Sequence, residues 1–325
     1  MGSRKNIEAA DEILEKYFPV LDYGFVSLVD YMGGDDSLEK YARVSYGSKT
    51  RKISDTRGLI RYLIRHFHTT PIESTELAFH IGLPIHVARQ LVRHRTFSPI
   101  NEYSGRYSVM PDLFYTPAQE NFSPQAKNNK QGRSEESLEQ DKYDYFMKEI
   151  KELRTNSSNL YHKMLNDGVA REIARMDLPL STYTYWYCKM DLGNLFKLLK
   201  LRVDSHAQWE IRQYAKIMAG MVKRVAPIAF EAFCDYSFYA DPLTKLDKTF
   251  LNFLIKTFSF NSFDEVKKLY EESKCTEHKN IGYSDREIEE FWKKLIIPEI
   301  MDFDLDINEA KEPEYFENII KENSK

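Results

Sequence analysis

The sequence predicts an α+β fold in which mixed helices accompany a small sheet. Three segments, 24–31, 75–81 and 182–187, carry the aromatic and β-branched residues that are typical of strands. Between 55 and 66 apolar side chains recur at helical spacing, and Ser54 or Asp55 can cap that helix. With 325 residues, of which 42% are hydrophobic, the chain can bury a substantial core, so we expect one large domain with appendages.

The periodicity of apolar residues, together with the positions of glycine and proline, predicts the other elements in chain order. Helices are expected at 7–18, 37–44, 84–95, 138–165, 169–176 and 191–202. A short strand is expected at 107–110. Residues 119–137 are polar and lack periodicity, which predicts a mobile surface insertion. After about Pro242 the composition shifts to lysine, glutamate, aspartate and aromatic residues, which predicts short helical pieces.

Composition also narrows the class of protein. No apolar run approaches the ~18 residues that a transmembrane helix needs, and the polar start lacks a signal-peptide core. The three cysteines, Cys188, Cys234 and Cys275, show neither metal-ligand spacing nor a disulfide framework. We therefore expect no metal and a cytoplasmic location.

The most informative stretch is an arginine-rich segment between residues 84 and 107. It holds four arginines and one acid in a chain whose net charge is -4. Its first part predicts a helix with one apolar arc and one arc carrying Gln90, Arg93 and His94, which ends before Pro99. Arginine forks recognise phosphate and planar carbonyl edges, so the segment indicates a pocket for a small anion. The alternative is a solvated charged helix face.

The motif Arg93-His94-Arg95, followed by Asn101-Glu102-x-Ser104-x-Arg106-Tyr107, is similar to the signature of flavin-dependent thymidylate synthases. Further ordered motifs resemble the same family, and they lie at 24–31, 42–45, 68–73, 171–180 and 201–210. The resemblance covers about 22–240. It implies a thymidylate-synthase-complementing-type domain over 22–240, flanked by an N-terminal helical extension at 1–21 and a helical C-terminal extension at 241–325.

The resemblance also implies an activity and a set of site residues. The activity is the flavin-dependent reductive methylation of dUMP to dTMP, with methylenetetrahydrofolate as carbon donor, NADPH as reductant and FAD as cofactor. The enzyme would be a homotetramer with shared active sites that engages neither nucleic acid nor membrane. The implied dUMP-binding residues are Gln90, Arg93, Glu102, Tyr103, Ser104, Gly105, Arg106, Arg175 and Arg202. The implied FAD-binding residues are Ser45, Thr70, Arg93, His94, Arg95, Glu102, Asp191, Gly193 and Lys197.

Arg202 is the residue that the resemblance makes catalytic. It lies seven residues after Leu195 on the buried side of its helix, so its charge needs a partner. Taken alone, that position favours a structural salt bridge, for example with Asp204. In the family, the matching arginine contacts the pyrimidine and helps to polarise it.

Several neighbouring residues have plainer interpretations. Ser205-x-x-Gln208 is a capping box for the next helix. Arg171 and Arg175 could pair with surface acids, and the resemblance assigns Arg175 to the nucleotide and leaves Arg171 structural. Ser104 is assigned to phosphate or base contact rather than to nucleophilic attack. His68 is a folate or flavin ligand, or else a core or capping histidine.

Methylation at C5 of uracil requires that carbon to become nucleophilic. One solution is a cysteine adduct at C6, but none of the three cysteines is close to the arginine cluster in sequence. The other withdraws electron density through the pyrimidine by fixed positive charge, which Arg202 and Arg93 supply while Gln90 orients the ring. Reduction of the transferred methylene needs a hydride that no side chain donates, so a flavin must carry it.

Three departures from the family pattern leave two other functions open. The spacing from Arg95 to Ser104 is one residue longer than usual, with the extra residue placed within 98–100. Asp191 and Lys197 stand where asparagines are common. The chain could therefore be a non-catalytic nucleotide-binding paralogue. A flavin- and folate-dependent RNA uridine methylase is the other alternative, and the lack of a long basic run disfavours it.

Overall fold

The computed structural model describes residues 6–46, 55–96, 99–127, 132–257 and 301–311, with residues 268, 291, 294 and 313. These residues fall into two compact units. The first extends to Phe233 and resumes at Phe303, and the second lies between Cys234 and Asp302.

A five-stranded antiparallel sheet lies in the first unit, with strand order β1-β2-β3-β5-β4. Its strands are β1 (Tyr17–Val20), β2 (Gly24–Met32), β3 (Glu76–Pro84), β4 (Ile100–Glu102) and β5 (Tyr183–Asp191). The strands predicted around 24–31, 75–81 and 182–187 are confirmed as β2, β3 and β5. Together with the helices, the sheet confirms the predicted α+β class.

The helices of the first unit are α1 (Glu8–Asp11), α2 (Asp35–Arg43), α3 (Thr56–Arg65), α4 (Thr69–Ile72), α5 (Ile85–Leu91), α6 (Gln140–Asn166), α7 (Arg171–Ala174), α8 (Leu192–Val203), α9 (Trp209–Val225) and α10 (Pro227–Phe233). The second unit contains a π-helical turn at Cys234–Phe238 and α11 (Lys245–Thr257). Of the predicted caps, Asp55 accepts from the Gly58 amide at 2.6 Å at the start of α3, while Ser54 lies outside the described residues.

The pairing of β3 with β5 positions the two helices that matter most for the site. Pro84 lies opposite Tyr183, so α5 begins at one end of this pair. Asp191 lies opposite Glu76, so α8 begins at the other end. The side chain of Asp191 accepts from the Asn194 amide at 2.9 Å and caps α8.

Two predicted elements are wrong. The helix expected over 7–18 is only α1, because Tyr17 begins a strand whose backbone pairs opposite Ser27. The strand expected over 107–110 is a turn, in which the Tyr107 amide donates to the Ser104 carbonyl at 3.0 Å. The edge of β5 is instead paired by β4, which lies before that turn in the chain.

The core joins the sheet to α9. Tyr214 is fully buried, and its hydroxyl donates to the Gly82 carbonyl at 3.0 Å. A Cβ at Gly24 would lie 2.1 Å from the Tyr214 oxygen and 2.6 Å from the Val20 carbonyl, so only glycine fits there. Trp186 and Phe79 fill the sheet's buried positions. Burial of such large side chains stabilises a fold by about 1.5–3 kcal/mol each.

Part of the predicted insertion at 119–137 is described. The Leu138 amide donates to the Phe122 carbonyl at 2.8 Å, and Arg133 Nη1 donates to the Asn121 carbonyl at 2.5 Å. These bonds tie both ends of the segment together, whereas residues 128–131 are not described. Among the described helices, none is long and apolar enough to cross a membrane.

Candidate active site

Helix α5 carries the first group of predicted site residues. Val87, Ala88 and Leu91 are buried on its apolar face, as its periodicity predicts. On the other face, Gln90 is half-buried and Arg93 is exposed. The helix ends at Leu91, earlier than predicted, and the chain continues as a turn in which the His94 amide donates to the Leu91 carbonyl at 3.0 Å.

His94 and Arg202 are brought together by this turn and the last turn of α8. Arg202 Nε donates to His94 Nε2 at 2.7 Å. Burial, and secondarily the charge of Arg202, lower the pKa of His94 below its ordinary value of 6.5, so the imidazole is neutral and able to accept. Both side chains are half-buried. The pair holds the guanidinium with its terminal amino groups still available to a ligand.

The salt bridge considered for Arg202 does not form. Asp204 instead accepts from the His206 amide and contacts His206 Nδ1, both at 2.8 Å. The predicted capping box is also wrong, because α9 begins at Trp209 and Gln208, not Ser205, occupies the N-cap position. Gln208 accepts a hydrogen bond from Gln90 Nε2. We call Gln90, His94, Arg202 and Gln208 the helix cluster.

A second group of predicted residues lines a cleft of about 500 Å³, which we call the signature cleft. Its lining contains Glu102, Tyr103, Ser104, Gly105, Arg106, Arg175, Glu172, Ile85, Met110, Met176, Leu178, Leu180 and Thr184. Glu102 ends β4, and its Oε1 accepts from Thr184 Oγ1 at 2.8 Å across β5. Within 98–100, where the extra residue of the signature is predicted, the Pro99 carbonyl accepts from the Lys189 amide at 3.2 Å and Ile100 begins β4. Ser98 lies outside the described residues.

Gly105 lies in the turn after β4, in close contact with the side chains of Met110 and Arg175. A Cβ there would lie 2.8 Å from Met110 Sδ and 3.1 Å from Arg175 Cδ. The turn is closed by the Ser104 carbonyl, and Ser104 Oγ accepts from the Arg106 amide at 3.3 Å. The close approach of Gly105 to Arg175 puts the guanidinium of Arg175 in the same cleft as the signature turn.

Arg106 and Glu172, two further charged residues of the cleft, are exposed and make only a long contact. Arg106 Nε lies 3.5 Å from Glu172 Oε2, with 55% and 56% of the two side chains exposed. Arg171 Nη1 donates to the Tyr107 carbonyl at 3.0 Å instead of pairing with an acid. That bond anchors the turn. Arg106 and Arg175 are therefore the cationic groups in the cleft lining.

The predicted nucleotide residues thus divide into two groups. Six of them line the signature cleft: Glu102, Tyr103, Ser104, Gly105, Arg106 and Arg175. Among the described residues that line the cleft, none is Gln90, Arg93 or Arg202.

Two of the predicted flavin residues line another cleft of about 590 Å³. Ser45 and Thr70 lie there together with His68, between α2, α3 and α4. His68 is exposed, makes no side-chain capping bond and stacks on Tyr62 at 5.8 Å between ring centroids. His68 is therefore not a core histidine; it occupies the N-cap position of α4 without a side-chain hydrogen bond to that helix.

The start of α8 carries the other flavin candidates. A Cβ at Gly193 would lie 3.4 Å from Glu73 Cγ, so the start of α8 adjoins the end of α4. Asp191 and Lys197 do not face each other, as expected from their spacing, but both contact Asn194. Asn194 Nδ2 donates to Asp191 Oδ2 at 2.5 Å, and Lys197 Nζ donates to Asn194 Oδ1 at 3.1 Å. Arg95 is exposed beyond α5.

Three residues that the sequence did not predict, Tyr115, Arg133 and Glu210, form a hydrogen-bonded group next to Gln208. Gln208 Nε2 donates to Glu210 Oε2 at 2.7 Å, and Glu210 Oε1 accepts from Tyr115 and Arg133, each at 3.1 Å. Glu210 is the last residue of the 201–210 motif. A charged residue at the buried start of a helix needs a partner, and that signal could have identified Glu210. No local pattern marks Arg133 or Tyr115.

Of the two described cysteines, neither is among the residues that line the signature cleft. Cys188 is buried in β5 with its Sγ 3.8 Å from the Phe79 carbonyl, and burial raises the pKa of its thiol. Cys234 is half-buried in the second unit, and Cys275 lies outside the described residues. In the described part of the chain, no group of three or more His, Cys, Asp or Glu could hold a metal ion.

The sequence matches the family described as thymidylate synthase complementing protein over residues 27–228. A flavin-dependent thymidylate synthase from Wolbachia pipientis wMel is 46% identical over 257 residues, which cover 78% of this chain and 88% of that protein. Another from Rickettsia bellii (strain RML369-C) is 40% identical over 301 residues, which cover 89% of this chain and 97% of that protein.

Solved structures agree with this match. The crystal structure of a UMP/dUMP methylase PolB from Streptomyces cacaoi, bound with 5-Br dUMP, has a TM-score of 0.61 and 31% identity, covering 67% of this chain and 98% of that one. The same methylase bound with 5-Br UMP also has a TM-score of 0.61, covering 69% and 99%. The family match, 27–228, includes the helix cluster and both clefts.

Proposed function

The chain belongs to the flavin-dependent thymidylate synthase family, and we propose that it methylates dUMP at C5 to give dTMP, using methylenetetrahydrofolate as carbon donor and NADPH as reductant. The observation that carries the proposal is the signature cleft. It combines the hydroxyl of Ser104 and the guanidinium groups of Arg106 and Arg175 around the turn at Gly105. Such donors bind a phosphate monoester by charge-assisted hydrogen bonds.

The residues proposed for FAD suit that cofactor by their chemistry. Ser45 and Thr70 supply hydroxyl groups in a cleft of about 590 Å³ whose other walls include Tyr62, Leu63 and Pro71. Such a mixture of apolar walls and a few polar groups is typical of cofactor sites. Arg93, His94 and Arg95 add donors for a pyrophosphate, and Asp191, Gly193 and Lys197 would contribute from the start of α8. When bound, the flavin supplies the hydride that reduces the transferred methylene to a methyl group.

The chain's own share of the reaction is charge and orientation. Arg202 would direct its terminal amino groups at the pyrimidine carbonyls, because its Nε is already occupied by His94. This fixed charge draws electron density from the ring and makes C5 nucleophilic without a cysteine adduct. Arg93 would add positive charge, and Gln90 would orient the ring. Glu102, Tyr103 and Ser104 would hold the nucleotide from the signature cleft.

We also propose a homotetramer whose active sites are shared between subunits. Arg202 lies in the helix cluster while Ser104 and Arg106 line the signature cleft, and in the tetramer the cluster of one subunit would meet the cleft of another around one nucleotide. The rim of the signature cleft carries apolar side chains that are more than half exposed, as contact surfaces are. They are Tyr107, Met176 and Leu180.

We place the enzyme in the cytoplasm. Cys188 and Cys234 are free thiols, which fits a reducing compartment. The proposed reaction also draws on a reduced nicotinamide and a reduced folate, which such a compartment maintains.

The test is release of tritium from C5-labelled dUMP by the purified protein. We expect release that requires methylenetetrahydrofolate and NADPH, from a yellow protein with flavin absorbance. A colourless protein that binds dUMP without releasing tritium would support the non-catalytic paralogue. Methyl transfer to uridine in RNA, with none to dUMP, would support the RNA methylase.

A further inference from the structure

A continuous line of hydrogen bonds runs from Gln90 into the protein. Gln90 Nε2 donates to Gln208 Oε1, and Gln208 Nε2 donates to Glu210 Oε2 at 2.7 Å. The line joins α5 to the start of α9, and it ends on a carboxylate whose side chain is only 5% exposed. We call these three residues the amide relay.

The carboxylate decides which way both amides point. An ionised carboxylate only accepts hydrogen bonds, whereas a glutamine amide has one donor end and one acceptor end. Glu210 therefore requires the NH₂ end of Gln208, which leaves the Gln208 oxygen toward Gln90. That oxygen in turn requires the NH₂ end of Gln90. The Gln90 oxygen is left facing away from the relay, and no described residue donates to it.

Glu210 is itself held in the ionised state by neighbours. Burial raises its pKa, but the charge of Arg133 and hydrogen bonds from Gln208 and Tyr115 outweigh burial, so the pKa lies below its ordinary value of 4.5. Arg133 also lies over the Trp209 ring, with its guanidinium carbon 5.3 Å from the ring centroid. Arg133 belongs to the 119–137 segment, so that segment helps to fix the carboxylate behind the site.

We propose that Glu210 is a positioning residue that, through Gln208, orients the Gln90 amide so that its oxygen accepts from N3–H of the pyrimidine. The proposal rests on the proposed function, which sets Gln90 against the base. Uracil carries a hydrogen at N3, whereas N3 of cytosine is itself an acceptor. A fixed oxygen therefore favours dUMP over dCMP, because two acceptors facing each other leave both without a donor.

The experiment is calorimetric titration of the flavin-loaded protein with dUMP and with dCMP. In Glu210→Gln, Arg133 and Tyr115 still donate to the side-chain oxygen, so the NH₂ end of the new amide faces Gln208 and reverses the orientation that the relay imposes on Gln90. We expect the ratio of dCMP to dUMP dissociation constants to fall by about 10-fold, which corresponds to about 1.4 kcal/mol. Glu136→Gln is the matched control. Glu136 is an exposed residue of the 119–137 segment, which also carries Arg133, and its replacement should leave the ratio unchanged.

A double variant distinguishes orientation of Gln90 by the relay from a purely structural role of the Arg133–Glu210 ion pair. Glu210→Gln alone leaves the charge of Arg133 without its carboxylate and should lower the melting temperature. Arg133→Met with Glu210→Gln removes both charges and should recover the stability that the unpaired charge cost, but not the hydrogen bond from Arg133 to the Asn121 carbonyl. If the relay acts by orientation, the double variant recovers stability without recovering the preference for dUMP.

Two results overturn the proposal. One is an unchanged dCMP to dUMP ratio in folded Glu210→Gln, and the other is recovery of that ratio in the double variant. Failure of the proposed function is read from a different measurement, since the wild-type protein would then release no tritium from C5-labelled dUMP whatever its ratio of dissociation constants.

Discussion

The helix cluster and the signature cleft differ in how firmly one chain holds their side chains. In the helix cluster Arg202 is fixed by His94 at 2.7 Å, and Gln90 is fixed by Gln208. In the signature cleft Arg106 is more than half exposed and lies 3.5 Å from Glu172, which is also exposed. The comparison shows that a single chain preorganises the proposed catalytic charge but leaves the proposed phosphate-binding turn open.

The supporting elements explain the difference. The helix cluster lies on α5, α8 and α9, whose apolar faces are packed in the core. The signature turn follows β4, a three-residue strand at the edge of the sheet. Edge strands have one unpaired side and few neighbours, so residues beyond them depend on further contacts for their position.

The largest effect is expected from removing the fixed charge of the helix cluster. Arg202→Ala should lower tritium release from C5-labelled dUMP by about 10²-fold or more, because pyrimidine activation loses its charge. Arg57→Ala, which removes an exposed arginine paired with Glu231, should leave release unchanged. Near-wild-type turnover in folded Arg202→Ala would remove Arg202 from the catalytic role.

A smaller effect is expected when the helix cluster is altered on one chain and the signature cleft on another. Arg202→Ala and Arg106→Ala should each be inactive alone. Mixed oligomers of the two should regain part of the activity, because some sites receive an intact residue from each partner. Subunit exchange is confirmed by mass measurement. Exchange without recovered activity would show that each chain builds its own site.

The smallest effect concerns the pH dependence of the His94–Arg202 pair. His94 accepts from Arg202 only when neutral, and its pKa is lowered from 6.5 by burial and by Arg202. The pair is therefore intact above pH 6.5 and is lost as the pH falls through the lower pKa of the folded protein. We expect kcat/KM for dUMP to decline on that acidic side.

His94→Gln provides the matched comparison for this pH profile. A glutamine oxygen can still accept from Arg202 Nε but does not titrate, so the acidic decline should flatten. The measurement is kcat/KM for dUMP between pH 5 and 8, roughly the range in which histidine charge changes. Identical acidic limbs in both proteins would assign the decline to another group.

Much of the fold follows from local pattern. The aromatic and β-branched residues of 24–31 and the apolar stripe of 55–66 predict β2 and α3, because both signals depend on the local backbone. The prediction fails at 7–18, where pairing with β2 makes a strand from Tyr17, and at 107–110, where β4 pairs the edge of β5 instead. Ser205 also fails as a cap. Gln208 forms hydrogen bonds with Glu210 and Gln90, and α9 begins only after it.

The sequence by itself determined the chemistry, namely the arginines, the glycine turn and the family to which the motifs belong. The tertiary structure decided which of these groups meet. His94 and Arg202 are 108 residues apart and become partners only when α5 and α8 both pack against α9. Arg133 reaches Glu210 across 77 residues without any sequence signal. Periodicity reports how each segment folds, whereas such distant contacts depend on strand register and helix packing, which no short motif encodes.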